Sequence, residues 1–195
     1  SLVHQMVEEG AGTNPPGPGG LARYSDTVEI GRGGMGVIHR GMDPALCREV
    51  AIKVLAGRST MSEKLRHRFL AEARVTAQLE HPNIVPVYEL TETAQGGSFA
   101  MKLVRGESLE DRIEHLRKGR EEGRNPWEAY PLTRRLTDFL KVCDAMAFAH
   151  SRGVIHRDLK PANVMIGEFG EVLVLDWGIA RVGEGIGDEV PSIEI

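Results

Sequence analysis

The chain has 195 residues, of which 41% are hydrophobic, so it is long enough to bury a core in one domain or two small lobes. Its 24 Lys and Arg residues against 28 Asp and Glu residues give a formal net charge of −4, which argues against general nucleic-acid binding. There is no membrane-length apolar run, no signal-peptide pattern, and no disulfide or metal-ligand spacing of the two cysteines, which together predict a cytoplasmic chain without a membrane segment.

Residues 1–20 end in a stretch rich in glycine and proline. Such a composition sustains neither a helix nor a strand, so it predicts a flexible leader. The folded part is expected to begin near residues 21–24. We divide it into a first unit over residues 21–104 and a second unit over residues 105–195.

A glycine-rich turn with the pattern G-x-G-x-x-G follows a short strand at Val28–Ile30. Its glycines are Gly31, Gly33 and Gly36, and a backbone without side chains can approach phosphate groups closely. A dinucleotide-binding turn would pass directly into a helix, whereas Val37–Arg40 has the pattern of a second strand. On its own, the turn is equally compatible with a plain glycine hairpin.

The next apolar strand, Glu49–Leu55, is interrupted by one lysine, Lys53. A lone lysine in such a run is either paired with an acid or lies at an edge from which its ammonium group reaches water. Thr60 and Glu63 form a capping-box pattern that predicts the start of a helix. Glu72 lies beside the apolar stripe of this helix, where it is either solvated or a partner for Lys53.

Two further strands are predicted, one following a turn within His81–Leu90 and the other at Ser98–Val104. They complete a lobe of five strands and one helix. The charged stretch over residues 106–131 predicts a short helix from Ser108, followed by an exposed loop. An amphipathic helix is predicted over Leu132–Ser151. Its apolar face is expected to contain Leu136, Phe139, Leu140, Cys143, Met146 and Ala147.

After this helix, Asp158, Lys160 and Asn163 follow one another on a loop that ends in an apolar run. A carboxylate, an ammonium group and an amide in this arrangement suit phosphoryl transfer, in which they deprotonate a hydroxyl, neutralise phosphate charge and bind a divalent cation. Taken singly, each residue type is also common in solvated turns. The strand Glu171–Leu175 then ends in Asp176, which begins the sequence Asp-Trp-Gly.

In order and spacing, these motifs resemble those of eukaryotic-like serine/threonine protein kinases of the bacterial type. They are the glycine-rich loop, the strand lysine, the helix glutamate, the catalytic loop and the metal-binding aspartate. The resemblance implies an α+β, two-lobed fold. Its first lobe would be a five-stranded antiparallel sheet with one helix, termed the C helix, and its second lobe would be mainly helical. It also implies a transferase that uses ATP and Mg²⁺ to phosphorylate serine or threonine hydroxyls of protein substrates.

The resemblance assigns roles to residues of the catalytic loop and the metal site. Asp158 would be the general base and Lys160 would steady the γ-phosphate. Asn163 and Asp176 would bind Mg²⁺. A lysine two residues after the base is typical of serine/threonine kinases rather than tyrosine kinases.

The resemblance also defines an ATP pocket. Lys53, oriented by Glu72, would contact the α- and β-phosphates. Met101 would be the gatekeeper behind the adenine, and the backbone of Lys102 and Val104 would hydrogen-bond the adenine edge. The other implied ATP-binding positions are Ile30, Gly31, Gly33, Gly34, Gly36, Val37, Ala51 and Met165.

Three features depart from the family pattern. Trp177 stands where the family has phenylalanine, and its larger ring is expected to pack against the C helix. Thr76 stands where the family usually has an apolar residue, which predicts looser packing there. The chain ends soon after Asp176 without an A-P-E motif. We therefore expect a truncated kinase with an exposed apolar surface and a tendency to self-associate, or alternatively a catalytically silent nucleotide-binding or interaction module.

Overall fold

The structure, a computed structural model, describes residues 21–33, 36–55, 63–93, 96–178 and 180–182. Three features that were expected from the sequence lie outside these ranges. They are the leader, Gly34 of the glycine-rich turn, and Thr60 of the predicted helix start. The described chain begins with a short 3-10 helix at Leu21–Arg23.

Five antiparallel strands form the first sheet, in the order β1-β2-β3-β5-β4. The strands are β1 (Ser25–Arg32), β2 (Gly36–Asp43), β3 (Arg48–Leu55), β4 (Val87–Thr93) and β5 (Gly96–Lys102). The glycine-rich turn joins β1 to β2, so the chain passes from strand to strand there and not into a helix. This confirms the predicted sheet of the first lobe.

One helix, α1 (Glu63–Gln78), packs against this sheet. Its apolar residues recur at helical spacing, and Phe69 and Ala73 are buried against Leu55 and Phe99. The rings of Phe69 and Phe99 lie 5.2 Å apart between centroids. This contact holds the helix against β5 and the neighbouring edge strand β4.

The second part of the chain combines three helices with short strands. The helices are α2 (Leu109–Glu121), α3 (Pro126–Ala129) and α4 (Leu132–Ser151). The strands are β6 (Gly106–Ser108), β7 (Val154–Ile155), β8 (Val164–Gly167), β9 (Val172–Val174) and β10 (Arg181–Val182), with a 3-10 turn at Pro161–Asn163. Strands β6, β8 and β9 form one small sheet, and β7 pairs with β10.

Helix α2 is longer than the sequence predicted, because most of the expected exposed loop is helical as far as Glu121. Ser108 and Asp111 cap its first turn reciprocally, which satisfies backbone donors that a helix start leaves open. Glu114 forms ion pairs with Arg117 and Lys118 one turn later. Long charged side chains favour a helix when they pair at this spacing, and the prediction gave this too little weight.

Helix α4 has the predicted bounds but buries a different face. Val142, Ala145 and Ala149 are buried against β7 and β9, whereas most of the apolar residues expected to form the core face are exposed. The exposed ones are Leu136, Phe139, Leu140, Cys143 and Ala147, and Met146 is half-buried. Small side chains allow the helix to approach the strands closely, so the packed face is the less hydrophobic one.

An apolar groove of about 1090 Å³ runs between α2, α3, α4 and the loop after β7. We call it the lower groove. Ile113, Trp127, Phe139 and Leu159 line it with exposed apolar side chains, in agreement with the uncovered surface expected from the sequence. Among the described residues, no helix has both the length and the apolar character required to cross a membrane.

Candidate functional site

Lys53 and Glu72 form an ion pair between the sheet and helix α1. Lys53 lies in the middle of β3, opposite Ile38 of β2 and Phe99 of β5. Its Nζ is 2.5 Å from Oε1 of Glu72, and the two side chains are only 12% and 4% exposed. The lysine therefore does not reach bulk water, and its charge is neutralised by the acid on α1.

The buried position of Glu72 controls its protonation. Burial raises the pKa of this carboxyl, the charge of Lys53 opposes the increase, and the charge of Asp176 adds to it. Oε1 accepts from Lys53, while Oε2 is buried without a hydrogen-bond partner among the described residues. Glu72 is thus close enough to Asp176 for their charges to interact, which connects α1 to the end of β9.

The two departures from the family pattern lie on either side of this pair. Thr76 is buried, and its Oγ1 donates to the backbone carbonyl of Glu72 at 2.7 Å, so its hydroxyl is satisfied within the helix. Trp177 is 1% exposed and packs in a core cluster with Val75 and Leu79 at the end of α1. The indole ring therefore does pack against α1, as expected from its size.

The catalytic loop brings its three polar residues together. Nζ of Lys160 donates to Oδ2 of Asp158 at 2.8 Å, and Nδ2 of Asn163 donates to the Asp158 backbone carbonyl at 2.9 Å. The hydrogen bond from Lys160 holds the pKa of Asp158 below its ordinary value. Asp158 is consequently ionised near neutral pH and can accept a proton.

A backbone hydrogen bond places Asp176 near this cluster, and its charge contributes to the raised pKa of Lys160. The hydrogen bond to Asp158 raises the pKa of Lys160, and the charge of Asp176 adds to the increase. The backbone amide of Leu175 donates to the Asn163 carbonyl at 2.8 Å, which places Asp176 beside the catalytic loop. Asp176 therefore follows a residue that is hydrogen-bonded to the catalytic loop and precedes Trp177, which packs against the end of α1.

The oxygen atoms of Asn163 and Asp176 suit a hard divalent cation. Because Nδ2 of Asn163 is used as a donor, its Oδ1 remains an acceptor. The carboxylate of Asp176 belongs to an exposed residue, and among the described residues its Oδ1 accepts a long hydrogen bond, 3.4 Å, from the amide of Gly178. Within the described ranges there is no group of three or more His, Cys, Asp or Glu that could hold a metal.

His156 is a site residue to which the sequence analysis gave no role. Its ring is buried, its Nδ1 accepts from the Asp158 amide at 3.3 Å, and its Nε2 therefore donates to the Leu175 carbonyl at 2.9 Å. The ring also packs on Trp177, with 4.6 Å between centroids. His156 thus ties the catalytic loop to the residue before Asp176. The sequence signal that could have identified His156 is its position directly after the apolar pair Val154–Ile155.

The glycine-rich turn is closed by a hydrogen bond from the Gly33 amide to the Gly36 carbonyl, at 2.9 Å. A Cβ atom at Gly36 would lie 2.4 Å from the carbonyl oxygen of Val54, so the pairing of β2 with β3 requires glycine there. A Cβ atom at Gly33 would meet nothing within 4 Å. Among the described residues, the space beside Gly33 is therefore open. Ile30 is exposed and Val37 is half-buried.

The residues expected around the adenine lie on β3, β5 and β8. Ala51 is buried opposite Met101, and Met165 lies half-buried in β8. Strand β5 ends at Lys102, whose amide already donates to the Pro86 carbonyl at 3.1 Å, so only its carbonyl can serve the adenine edge. The Val104 backbone follows beyond the strand. The use of these residues in ATP binding stays a prediction.

Comparison with known proteins agrees with this geometry. The family model described as protein kinase domain matches residues 24–188. The chain is 38% identical over 159 residues to the serine/threonine-protein kinase PknD of Protochlamydia amoebophila, an alignment that covers 81% of the chain and 16% of that protein. It is 34% identical over 175 residues to PknD of Chlamydia caviae, with 90% and 19% covered. For PknD of Chlamydia muridarum the values are 38% over 170 residues, with 82% and 17% covered.

The aligned part spans less than a fifth of the length of these relatives. The family match, in contrast, covers most of the chain and includes each of the residues whose geometry is described above. The chain therefore belongs to the protein kinase domain family.

Proposed function

We propose that the chain binds ATP together with Mg²⁺ and transfers the γ-phosphoryl group to serine or threonine hydroxyls of protein substrates. One observation carries the proposal. Asp176 directly follows Leu175, whose amide donates to Asn163 of the catalytic loop, and directly precedes Trp177, which packs with Val75 and Leu79 at the end of the helix that carries Glu72. Phosphate-binding, base and metal-binding groups therefore converge on one place.

The phosphate side of the site is formed by the glycine-rich turn and Lys53. The open surface at Gly33 lets the backbone approach a phosphate group, and the ammonium group of Lys53 supplies positive charge. Glu72 keeps that ammonium group in position, since Lys53 would otherwise be free to turn toward solvent. Such charge, aimed in advance at the place where negative charge develops, is the main contribution a protein makes to phosphoryl transfer.

The transfer step uses Asp158 as the base. The substrate hydroxyl oxygen forms a bond to the γ-phosphorus, the bond from that phosphorus to the bridging oxygen breaks, and ADP leaves with the electron pair. The hydroxyl proton passes to the carboxylate of Asp158. Lys160 donates to the same carboxylate and would also steady the γ-phosphate. Asn163 and Asp176 would hold Mg²⁺, which neutralises charge on the phosphates when bound.

The test is ATP binding and phosphate transfer to a generic protein substrate, each measured with and without Mg²⁺. We expect Mg²⁺-dependent binding in the wild type. Asp158→Asn should leave ATP affinity nearly unchanged and lower turnover by roughly 10²-fold, because it removes the base. The matched control is Asp144→Asn, at an exposed position of α4. Wild-type turnover in Asp158→Asn would contradict the assignment of the base.

A second candidate role is self-association, which the lower groove favours. The groove is lined mainly by apolar side chains, and exposed apolar surfaces of this kind mark interfaces. The alternative that the chain is a catalytically silent interaction module makes a distinct prediction. ATP binding and self-association would both be observed, and phosphate transfer would be absent.

We also propose that the protein acts in the cytoplasm. Cys47 and Cys143 are both free and exposed. Free, exposed thiols are typical of a reducing compartment. A pool of ATP and protein substrates is available there. Fractionation of the native host cells would test this proposal.

A further inference from the structure

The loop His81–Val85, which joins α1 to β4, runs alongside strand β9. Ile84 forms an isolated parallel bridge with Val174. The amide of Val174 donates to the Asn83 carbonyl at 2.8 Å, and the amide of Val85 donates to the Val174 carbonyl at 3.3 Å. Strand β9 is therefore paired on one edge with β8 and on the other edge with this loop.

The side chain of Asn83 adds a contact further back along the same strand. Its Nδ2 donates to the carbonyl of Val172 at 2.9 Å. The amide of Asn83 in turn donates to Nδ1 of His81 at 3.1 Å, and the His81 ring stacks on Phe148 of α4 with 5.2 Å between centroids. Asn83 is thus fixed on one side by α4 while it grips β9 on the other.

Strand β9 leads directly to the metal-binding carboxylate. It has only three residues and ends two positions before Asp176. Asp176 has a left-handed backbone conformation, with φ of 61°, and is exposed, so its place depends on the strand that precedes it. The same loop follows the end of α1, which carries Glu72. A rigid connection therefore runs from the ion-pair helix to Asp176.

We propose that Asn83 is a positioning residue, which acts through β9 to fix Asp176 relative to the Lys53–Glu72 pair. The proposal rests on the proposed function, since it assumes that Asp176 binds Mg²⁺ with ATP. Asn83 itself would touch neither group. The side-chain amide of Asn83 donates to the Val172 carbonyl. Loss of this hydrogen bond would free β9 on the edge that faces the loop.

The test compares Asn83→Ala with Asn125→Ala. Asn125 is a control because its side chain also makes structural hydrogen bonds away from β9: it accepts from the Trp127 amide at 3.0 Å to cap α3 and donates to Oε1 of Glu128 at 3.1 Å. ATP affinity is measured by calorimetry with and without Mg²⁺. We expect Asn83→Ala to reduce the gain in affinity from Mg²⁺ by about threefold or more, as is usual for residues that couple two sites. Affinity without Mg²⁺ should stay unchanged, and Asn125→Ala should alter neither value.

Amide hydrogen exchange without nucleotide provides a second readout. The amides of Val174 and Leu175, which donate to Asn83 and Asn163, should exchange faster in Asn83→Ala and at the wild-type rate in Asn125→Ala. Asn83→Asp keeps the shape of the side chain but replaces the donor with a carboxylate that cannot donate to the Val172 carbonyl and adds a negative charge beside it, so it also breaks this contact if the alanine variant does not fold.

The outcomes separate the two proposals. If wild-type ATP affinity gains nothing from Mg²⁺, the proposed function fails and the role of Asn83 fails with it. If the wild type gains affinity and the Asn83 variants retain the whole gain with wild-type exchange, only the role of Asn83 is wrong. A smaller gain together with faster exchange at Val174 supports the role.

Discussion

At the scale of single residues, Lys53 and Glu72 behave as one unit, because each supplies the opposite charge that allows the other to be buried. We expect Lys53→Met and Glu72→Gln each to weaken binding of ATP with Mg²⁺. The double variant should be little worse than the weaker-binding single variant, with a coupling free energy of about 0.5–3 kcal/mol in calorimetric titrations. Lys118→Met, at an exposed position of α2, is the control. Simple additivity would show that the ion pair does not position Lys53.

The raised pKa of Glu72 makes the stability of the fold depend on pH. Because burial raises this pKa above its ordinary value of 4.5, the folded state keeps a proton that the unfolded state has already released. The resulting stabilisation is fully present below pH 4.5 and is lost as the pH rises through the folded-state pKa. We therefore expect the free energy of unfolding of the wild type, relative to Glu72→Gln, to decrease over this range in urea titrations. An increase would place the folded-state pKa below 4.5.

At the scale of secondary-structure elements, the glycine-rich turn contains one glycine that close packing requires, Gly36, and one that close packing does not require, Gly33. Gly36→Ala would bring a Cβ atom to 2.4 Å from the Val54 carbonyl, so β2 and β3 would have to separate. We expect a loss of about 1–3 kcal/mol of stability, measured by urea unfolding. Gly33→Ala, in the same turn, meets no atom within 4 Å and should change stability by less than ~0.5 kcal/mol. Equal losses in both variants would contradict the close packing at Gly36.

Local patterns predicted the elements better than they predicted the contacts between them. The bounds of α4 and the strand-turn-strand arrangement around Gly33 follow from periodicity and glycine placement. The buried face of α4 does not, because close approach to β9 favours Ala145 and Ala149 over the larger Phe139. Hydrophobicity along a helix does not reveal which face has a partner.

The same distinction applies to the site. The types of Lys53, Glu72 and Asp158 and their spacing identified them from the sequence. His156 and Asn83 were given no role, since their contacts are with Leu175 and Val172, which lie 19 and 89 residues away along the chain. A local pattern can mark a residue, as the apolar pair before His156 does, but it does not identify a partner so far away along the chain.

At the scale of the whole molecule, the lower groove leaves apolar side chains of the described residues uncovered. We expect the chain to self-associate through it in a concentration-dependent manner. Phe139→Asp, which places a charge on a ring that is 63% exposed in the groove, should raise the dissociation constant at least about tenfold, or ~1.4 kcal/mol, in analytical ultracentrifugation. Phe169→Asp, at a ring that is 94% exposed away from the groove, should have no effect. If both variants raised the dissociation constant equally, association would be due to the general hydrophobicity of the surface and not to the lower groove.

The junction between Asn83 and Val172 also has a consequence for how the chain folds. Most pairings of the first sheet join consecutive strands, which form early because short loops close quickly. The hydrogen bond from Asn83 to Val172 spans 89 residues, so we expect it to form after the rate-limiting barrier. In stopped-flow experiments, Asn83→Ala should then accelerate unfolding and leave the rate of refolding nearly unchanged. The contact that positions Asp176 would thereby also set the lifetime of the folded state.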